Sequence, residues 1–175
     1  MIKSMAIVVI IGVASGLFLY PKYDFPVKSQ ARLILKILTM DENFTRFGDP
    51  IVIGVSSSKM LKAFDSIPAT LRVKGRTFFA KKMSDITDIE RFNVVYIDRN
   101  WEKSYNYLDR KRPLKLPLIF CQERSLLDKS QGGICFKIVD GKPRILYSSE
   151  NTKRQGSLFN MKFRKVAVNI HNPGK

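Results

Sequence analysis

The chain has 175 residues, enough for one domain with a substantial core. Hydrophobic residues make up 45% of it, which excludes an intrinsically disordered chain. With 31 Lys and Arg against 15 Asp and Glu the net charge is +16, so the chain is drawn to anions: a membrane surface, an acidic protein face or a nucleic acid.

Residues 1–25 read as an export segment. Met1-Ile2-Lys3 is a short basic start, and residues 6–20 form an apolar run stopped by Pro21 and Lys22. The run is shorter than the about 20 residues that a spanning helix needs. It suits the core of a signal peptide. Cleavage at Ala14-Ser15-Gly16 would leave apolar Leu17 and Tyr20 on the mature chain, so an uncleaved anchor stays open beside the signal peptide. A third reading is a buried helix of the fold; either export reading places the rest of the chain outside the cytoplasmic membrane, with residues 28–170 as one domain and 171–175 as a tail. Export argues against nucleic acid as the anion.

Ser29 reads as the cap of a helix that runs to Leu38, with Ala31, Ile34, Leu35 and Leu38 at i, i+3, i+4 and i+7. A loop follows, with Phe44 and Phe47 tucked beneath it. Ile51-Val52-Ile53-Gly54-Val55 is an unbroken apolar run, the mark of a strand buried on both faces. Ser56, Ser57 and Ser58 open a helix carrying Met60, Leu61 and Phe64. Residues 70–82 form a second extended region, bent at Lys74-Gly75-Arg76. Ile86 and Ile89 lie on a helical turn, residues 92–97 form another buried strand, and residues 101–108 form a helix with Tyr105 and Leu108 inward. Residues 110–113 are a basic loop, residues 116–121 the next strand, and Leu126-Leu127 a turn.

Asp140-Gly141 sits between two β-rich runs, the signature of a type I′ hairpin, and Pro143 after it suggests an open edge. Ser148 or Ser149 caps a short helix that Gly156 ends. Phe159, Phe163, Val166 and Ile170 then fall on one face of a final helix. Alternating strands and helices followed by a hairpin predict a single-domain α/β layered sandwich. Its mixed sheet, parallel first and antiparallel at one side, is flanked by helices.

The chemistry-bearing residues are few. The one histidine, His171, lies in the tail, and no His-Glu-x-x-His, Cys-x-x-Cys or Gly-x-Ser-x-Gly pattern is present, so neither an enzyme nor a metal or cofactor site is predicted. Ser56, Ser57, Ser58 and Lys59 at a helix start offer N–H groups to an anion, but without P-loop spacing; capping by serine is the simpler reading. Cys121 and Cys135 either form a disulfide, closing about fifteen residues for ~3 kcal/mol in the chain-entropy model, or are buried thiols. Basic residues gather at Arg72, Lys74, Arg76, Lys81 and Lys82 and again from Arg110 to Lys115, suiting an acidic receptor loop or an anionic membrane. In the final helix, Phe163 reads as core. Phe159, at the fraying start, reads as surface, and with Lys162, Arg164 and Lys165 as rim it forms a predicted partner or homodimer face.

The order of these pieces resembles the YfiR-like family of periplasmic regulators. The resemblance rests on the leading helix with Ala31 and Ile34, on Ile51-Val52-Ile53-Gly54-Val55, and on Val73-Lys74-Gly75-Arg76 before a strand. It continues through Phe92-Asn93-Val94-Val95-Tyr96-Ile97, Pro117-Leu118-Ile119-Phe120, Gly132-Gly133 and the Asp140-Gly141 hairpin. It closes on Arg154-Gln155-Gly156-Ser157-Leu158-Phe159 with Phe163 and Ala167. The resemblance implies a non-enzymatic repressor that binds the periplasmic part of a membrane-bound diguanylate cyclase and lowers cyclic di-GMP, coupling envelope or redox stress to biofilm formation. Two other classes stay open: a periplasmic solute- or anion-binding sensory module, and a basic structural protein of the envelope.

Overall fold

Strands buried on both faces need two layers of cover, and the apolar runs of this chain receive them. The computed structural model describes residues 25–101, 116–129 and 131–170. The expected export segment up to residue 24, the helix expected over 101–108 beyond Trp101 (with Tyr105 and Leu108), the Arg110–Lys115 cluster and the tail with His171 lie outside the described residues. Among the described residues no helix is long and apolar enough to cross a membrane.

Seven strands form one sheet in the order β2-β1-β3-β4-β5-β6-β7. They are β1 (Ile51–Val55), β2 (Phe78–Lys82), β3 (Val94–Ile97), β4 (Leu118–Cys121), β5 (Ile134–Val139), β6 (Lys142–Tyr147) and β7 (Ala167–Asn169). All neighbouring pairs from β2 to β5 are parallel, β5 and β6 are an antiparallel hairpin, and β7 lies parallel to β6. Strands β6 and β7 thus run opposite to the other five and form one side of the sheet, as expected. After β1 the chain steps outward to β2, then crosses back to β3. That reversal opens a crevice at the carboxyl ends of β1 and β3, where open α/β sheets bind ligands.

Strand alternation sorts the core into two layers. Ile51, Ile53, Val55, Tyr96, Phe120 and Phe136 pack beneath α1 (Val27–Leu38) and α2 (Ser58–Asp65). Val95, Ile97, Ile119, Cys121, Cys135 and Leu146 pack on the opposite face with Ile86, Ile89 and the short helix α3 (Arg124–Asp128). Phe44 and Phe47 are buried, as expected.

The hairpin turn has the predicted form, with φ of 51° at Asp140 and 70° at Gly141. Lys74 and Gly75, at 48° and 83°, make the same kind of turn between Val73 and Arg76. Ser148 caps α4 (Ser149–Arg154), its Oγ accepting from the Asn151 N–H, and Gly156 follows at φ 76°.

Three expectations change and one holds. Helix α1 begins at Val27, so Ser29 lies inside its first turn, and the Gln30 amide donates back to the Phe25 carbonyl at 2.7 Å. The Phe25 ring lies 5.7 Å from that of Phe136, so the domain starts by Phe25, not at residue 28. The open edge at Pro143 is present: Pro143 pairs with Ile138 on one side, and its other side is open because β7 joins only from Ile145 onward. The final helix is short: α5 (Met161–Val166) gives way to β7, leaving Val166 61% exposed and Ile170 beyond the strand against the second layer.

Gly141 has open space around its Cα, so a side chain there would meet only backbone strain. Gly141→Val is expected to cost about 1–3 kcal/mol by forcing a β-branched residue to positive φ, whereas Gly141→Asn should cost less. Urea unfolding measures both; equal midpoints for wild type and Val would contradict the turn.

Candidate functional site

The C-terminal segment is positioned by a buried carboxylate. Asp41 is fully enclosed, and its Oδ1 accepts from the Leu158 N–H at 3.0 Å and the Asn43 N–H at 2.9 Å. The Glu42 N–H donates to the Leu158 carbonyl, and Arg46 pairs with Asp41 at 3.5 Å while donating to the Ser157 hydroxyl. Burial pulls the Arg46 pKa down, and the Asp41 charge opposes that shift. These contacts seat Phe159 at 3% exposure, its ring 4.3 Å from Phe163, which meets Tyr147 edge-on at 5.0 Å. The expected surface role of Phe159 is therefore overturned: both Phe159 and Phe163 are core and cannot touch a partner.

What this end of the molecule presents is different. Met161 (63% exposed), Val166 and Val168 (46%) are open to solvent, between the exposed cations Lys162, Arg164 and Lys165. The Arg164 Nε–H donates to the Phe159 carbonyl at 3.0 Å. Beside β7, a pocket of about 310 Å³ is lined by Tyr147, Ser149, Lys153, Ser157, Arg164 and Asn169, among others. Its place at a fraying helix start favoured Phe159, and the assumption that the helix continues hid Met161 and Val168.

The crevice between β1 and β3 holds the predicted anion residues in part. It encloses about 410 Å³, with Ser58 and Lys59 from the head of α2, Arg99 and Asn100 after β3, and Gln122 after β4. Tyr96 also lines it and donates its hydroxyl to the Gln30 side chain at 2.8 Å. Ser57 is the helix cap, its Oγ accepting from the Met60 N–H. Ser56 is not available to an anion: it is buried, and its Oγ accepts from the Asp98 N–H at 2.8 Å. Beside the crevice, Glu123 meets Arg99 at 2.5 Å and Lys137 at 3.5 Å. Partial burial alone would raise the Glu123 carboxyl, but Arg99 and Lys137 more than offset it and hold the group below the usual carboxylate range.

Cys121 and Cys135 are register partners on β4 and β5, so the fold brings them together. Both are buried and no disulfide joins them, which is the second of the two sequence alternatives. The Cys121 Sγ lies 3.4 Å from the Ile134 carbonyl. Among the described residues no group of His, Cys, Asp and Glu is arranged to hold a metal.

No protein-family model and no curated protein matches the chain. Among solved structures it is similar to a conserved domain protein from Vibrio cholerae O1 biovar El Tor str. N16961, at 10% identity and a TM-score of 0.50. The match covers 82% of this chain and 60% of that one, and it shows a shared α/β architecture.

The Glu123 cluster makes a pH prediction. A carboxyl held below its unfolded value adds stability above that value and loses it as pH falls through the folded one. Glu123→Gln should lower stability at pH 7 by no more than about 1 kcal/mol, since Arg99 is half exposed. It should also flatten the fall in stability towards pH 3. Parallel urea titrations test this; an unchanged acid limb would remove the cluster from the account.

Proposed function

We propose that this chain is a periplasmic, non-enzymatic regulator that binds the periplasmic part of a membrane-bound diguanylate cyclase and lowers cyclic di-GMP output. The reading starts from the ordered likeness to the YfiR-like family. The single observation that supports it in the folded chain is the open β7 edge, with Met161, Val166 and Val168 exposed inside a rim of Lys162, Arg164 and Lys165. Exposed apolar residues ringed by charge are what a protein interface requires. A net charge of +16 suits an acidic partner face and an on-rate that falls with salt. Deleting the gene should raise cellular cyclic di-GMP, and restoring it should reverse the rise. An unchanged level in the deletion strain would contradict the regulator reading.

A second reading, a solute- or anion-sensing module, is favoured by the crevice at the β1/β3 reversal with Lys59 and Arg99 at its mouth. Small anions, offered as phosphate, nucleotides and carboxylates, should raise Tm if that crevice is a binding site. A flat thermal-shift profile across these ligands would remove the second reading.

A further inference from the structure

The described edges of the sheet are β2 and β7. An open edge strand carries unpaired N–H and C=O groups and invites another strand. The Ile170 N–H bonds to the Tyr147 carbonyl, so by alternation Val168 also turns its backbone groups to β6, while Asn169 turns its N–H and C=O outward. The Asn169 side chain is anchored on Ser149, with its Oδ1 accepting from the Ser149 N–H at 3.2 Å. β2 is blunted by the exposed lysines Lys81 and Lys82 within the strand. Among its three residues β7 has no charge, and Val168 stands exposed on it.

The charge along the segment that ends in β7 is positive: residues 151–170 hold Lys153, Arg154, Lys162, Arg164 and Lys165 and not one Asp or Glu, the preceding acid being Glu150 at the head of α4. A second copy of this edge would therefore be repelled. Lys153 and Arg164 both line the pocket beside β7, and among the described residues neither is paired with a carboxylate. The Arg164 Nε–H is spent on the Phe159 carbonyl, which fixes the side chain against the pocket wall.

We infer that β7 docks an extended acidic segment of a partner protein as an added strand, with one carboxylate side chain of that segment held in the pocket between Lys153 and Arg164. The backbone pairing supplies affinity and the pocket supplies selectivity, as in other strand-addition complexes. A guanidinium facing a carboxylate gives a directed, charge-assisted contact. The inference deepens the regulator reading and rests on it for the partner being a protein. Lipid headgroups would satisfy the cations but supply no extended backbone to pair with the strand in register.

The test uses the full chain and a fluorescein-labelled octapeptide of alternating Val and Glu. Its controls are the Lys-for-Glu peptide, the acidic peptide N-methylated at alternate amides, and vesicles of phosphatidylglycerol. Fluorescence anisotropy should show binding of the acidic peptide that weakens with salt, and at least about tenfold weaker binding of the N-methylated form, the loss of a good hydrogen bond. Lys153→Ala with Arg164→Ala should weaken it by about tenfold or more. Asn169→Pro should abolish the pairing while Asn169→Ala retains it, since proline removes only an outward donor at an edge. Because the N-methylated peptide leaves the protein untouched, misfolding of a variant does not blur the result. Equal binding of both acidic peptides, no binding of either, or binding of the vesicles alone would each overturn the inference. If the peptide fails while gene deletion still raises cyclic di-GMP, the regulator reading stands and this edge is not its contact. If the peptide binds and cyclic di-GMP is unchanged, the edge stands and the regulator reading falls.

Discussion

The interaction on which the fold depends is the insertion of two side-chain amides, Asn151 of α4 and Gln155 at its C-cap, into the sheet. Asn151 and Gln155 lie four residues apart, so both project from one side of the helix. The Gln155 Oε1 accepts from the Ile119 N–H at 3.1 Å, and its Nε2 donates to the Gln131 carbonyl at 2.9 Å. The Asn151 amide donates to the Leu127 and Gly132 carbonyls at 3.0 and 2.8 Å. Strands β4 and β5 pair directly only at Phe120 with Ile134 and Cys121 with Cys135, and the loop that leads into β5 is buried. Without the two amides the buried Ile119 N–H and Gly132 carbonyl would lose these partners, at about 1–3 kcal/mol each. The helix comes this close because Gly133 has no side chain: a Cβ there would lie 2.4 Å from the Gln155 Oε1.

Everything C-terminal to α4 inherits its position from that insertion. Gly156 turns the chain, Ser157 and Leu158 reach Asp41 and Arg46, and Phe159 and Phe163 are driven into the first core layer. Only then does the chain reach β6 and form β7. The open edge is thus an indirect product of polar contacts made inside the protein. Its backbone is held on one side by β6 and its Asn169 side chain by Ser149, so it is rigid before any partner arrives. A preformed strand costs little conformational entropy on binding.

The parallel half of the fold was legible because its physics is local. Apolar runs such as residues 51–55 and 118–121 announce strands covered on both faces, the Asp-Gly pair announces its turn, and Ser57 and Ser148 announce their helices. What local pattern does not carry is long-range pairing. Phe159 looks like a surface residue at a frayed helix start until Leu158 is seen to bond Asp41, 117 residues away in sequence. Phe159, Phe163, Val166 and Ile170 have helical spacing, yet β6 offers free backbone groups at Ile145 to Tyr147, and pairing with them ends the helix after one and a half turns. The start of α1 was missed because its first turn is closed from behind by Gln30 on Phe25, not by a serine cap. Of the site, the basic rim at Lys162 and Arg164 was legible; the apolar residues inside it were not.

Among the described residues no strand pairs with the outer side of β7, which carries the exposed Val168 and is set in positive charge. Amide hydrogen exchange read by mass spectrometry, with and without the periplasmic domain of the proposed partner, a membrane-bound diguanylate cyclase, tests this edge most directly. The account predicts slowed exchange in the peptide spanning residues 167–170, with residues 57–59 at the β1/β3 crevice unchanged. Protection at residues 57–59 with none at 167–170 would contradict it.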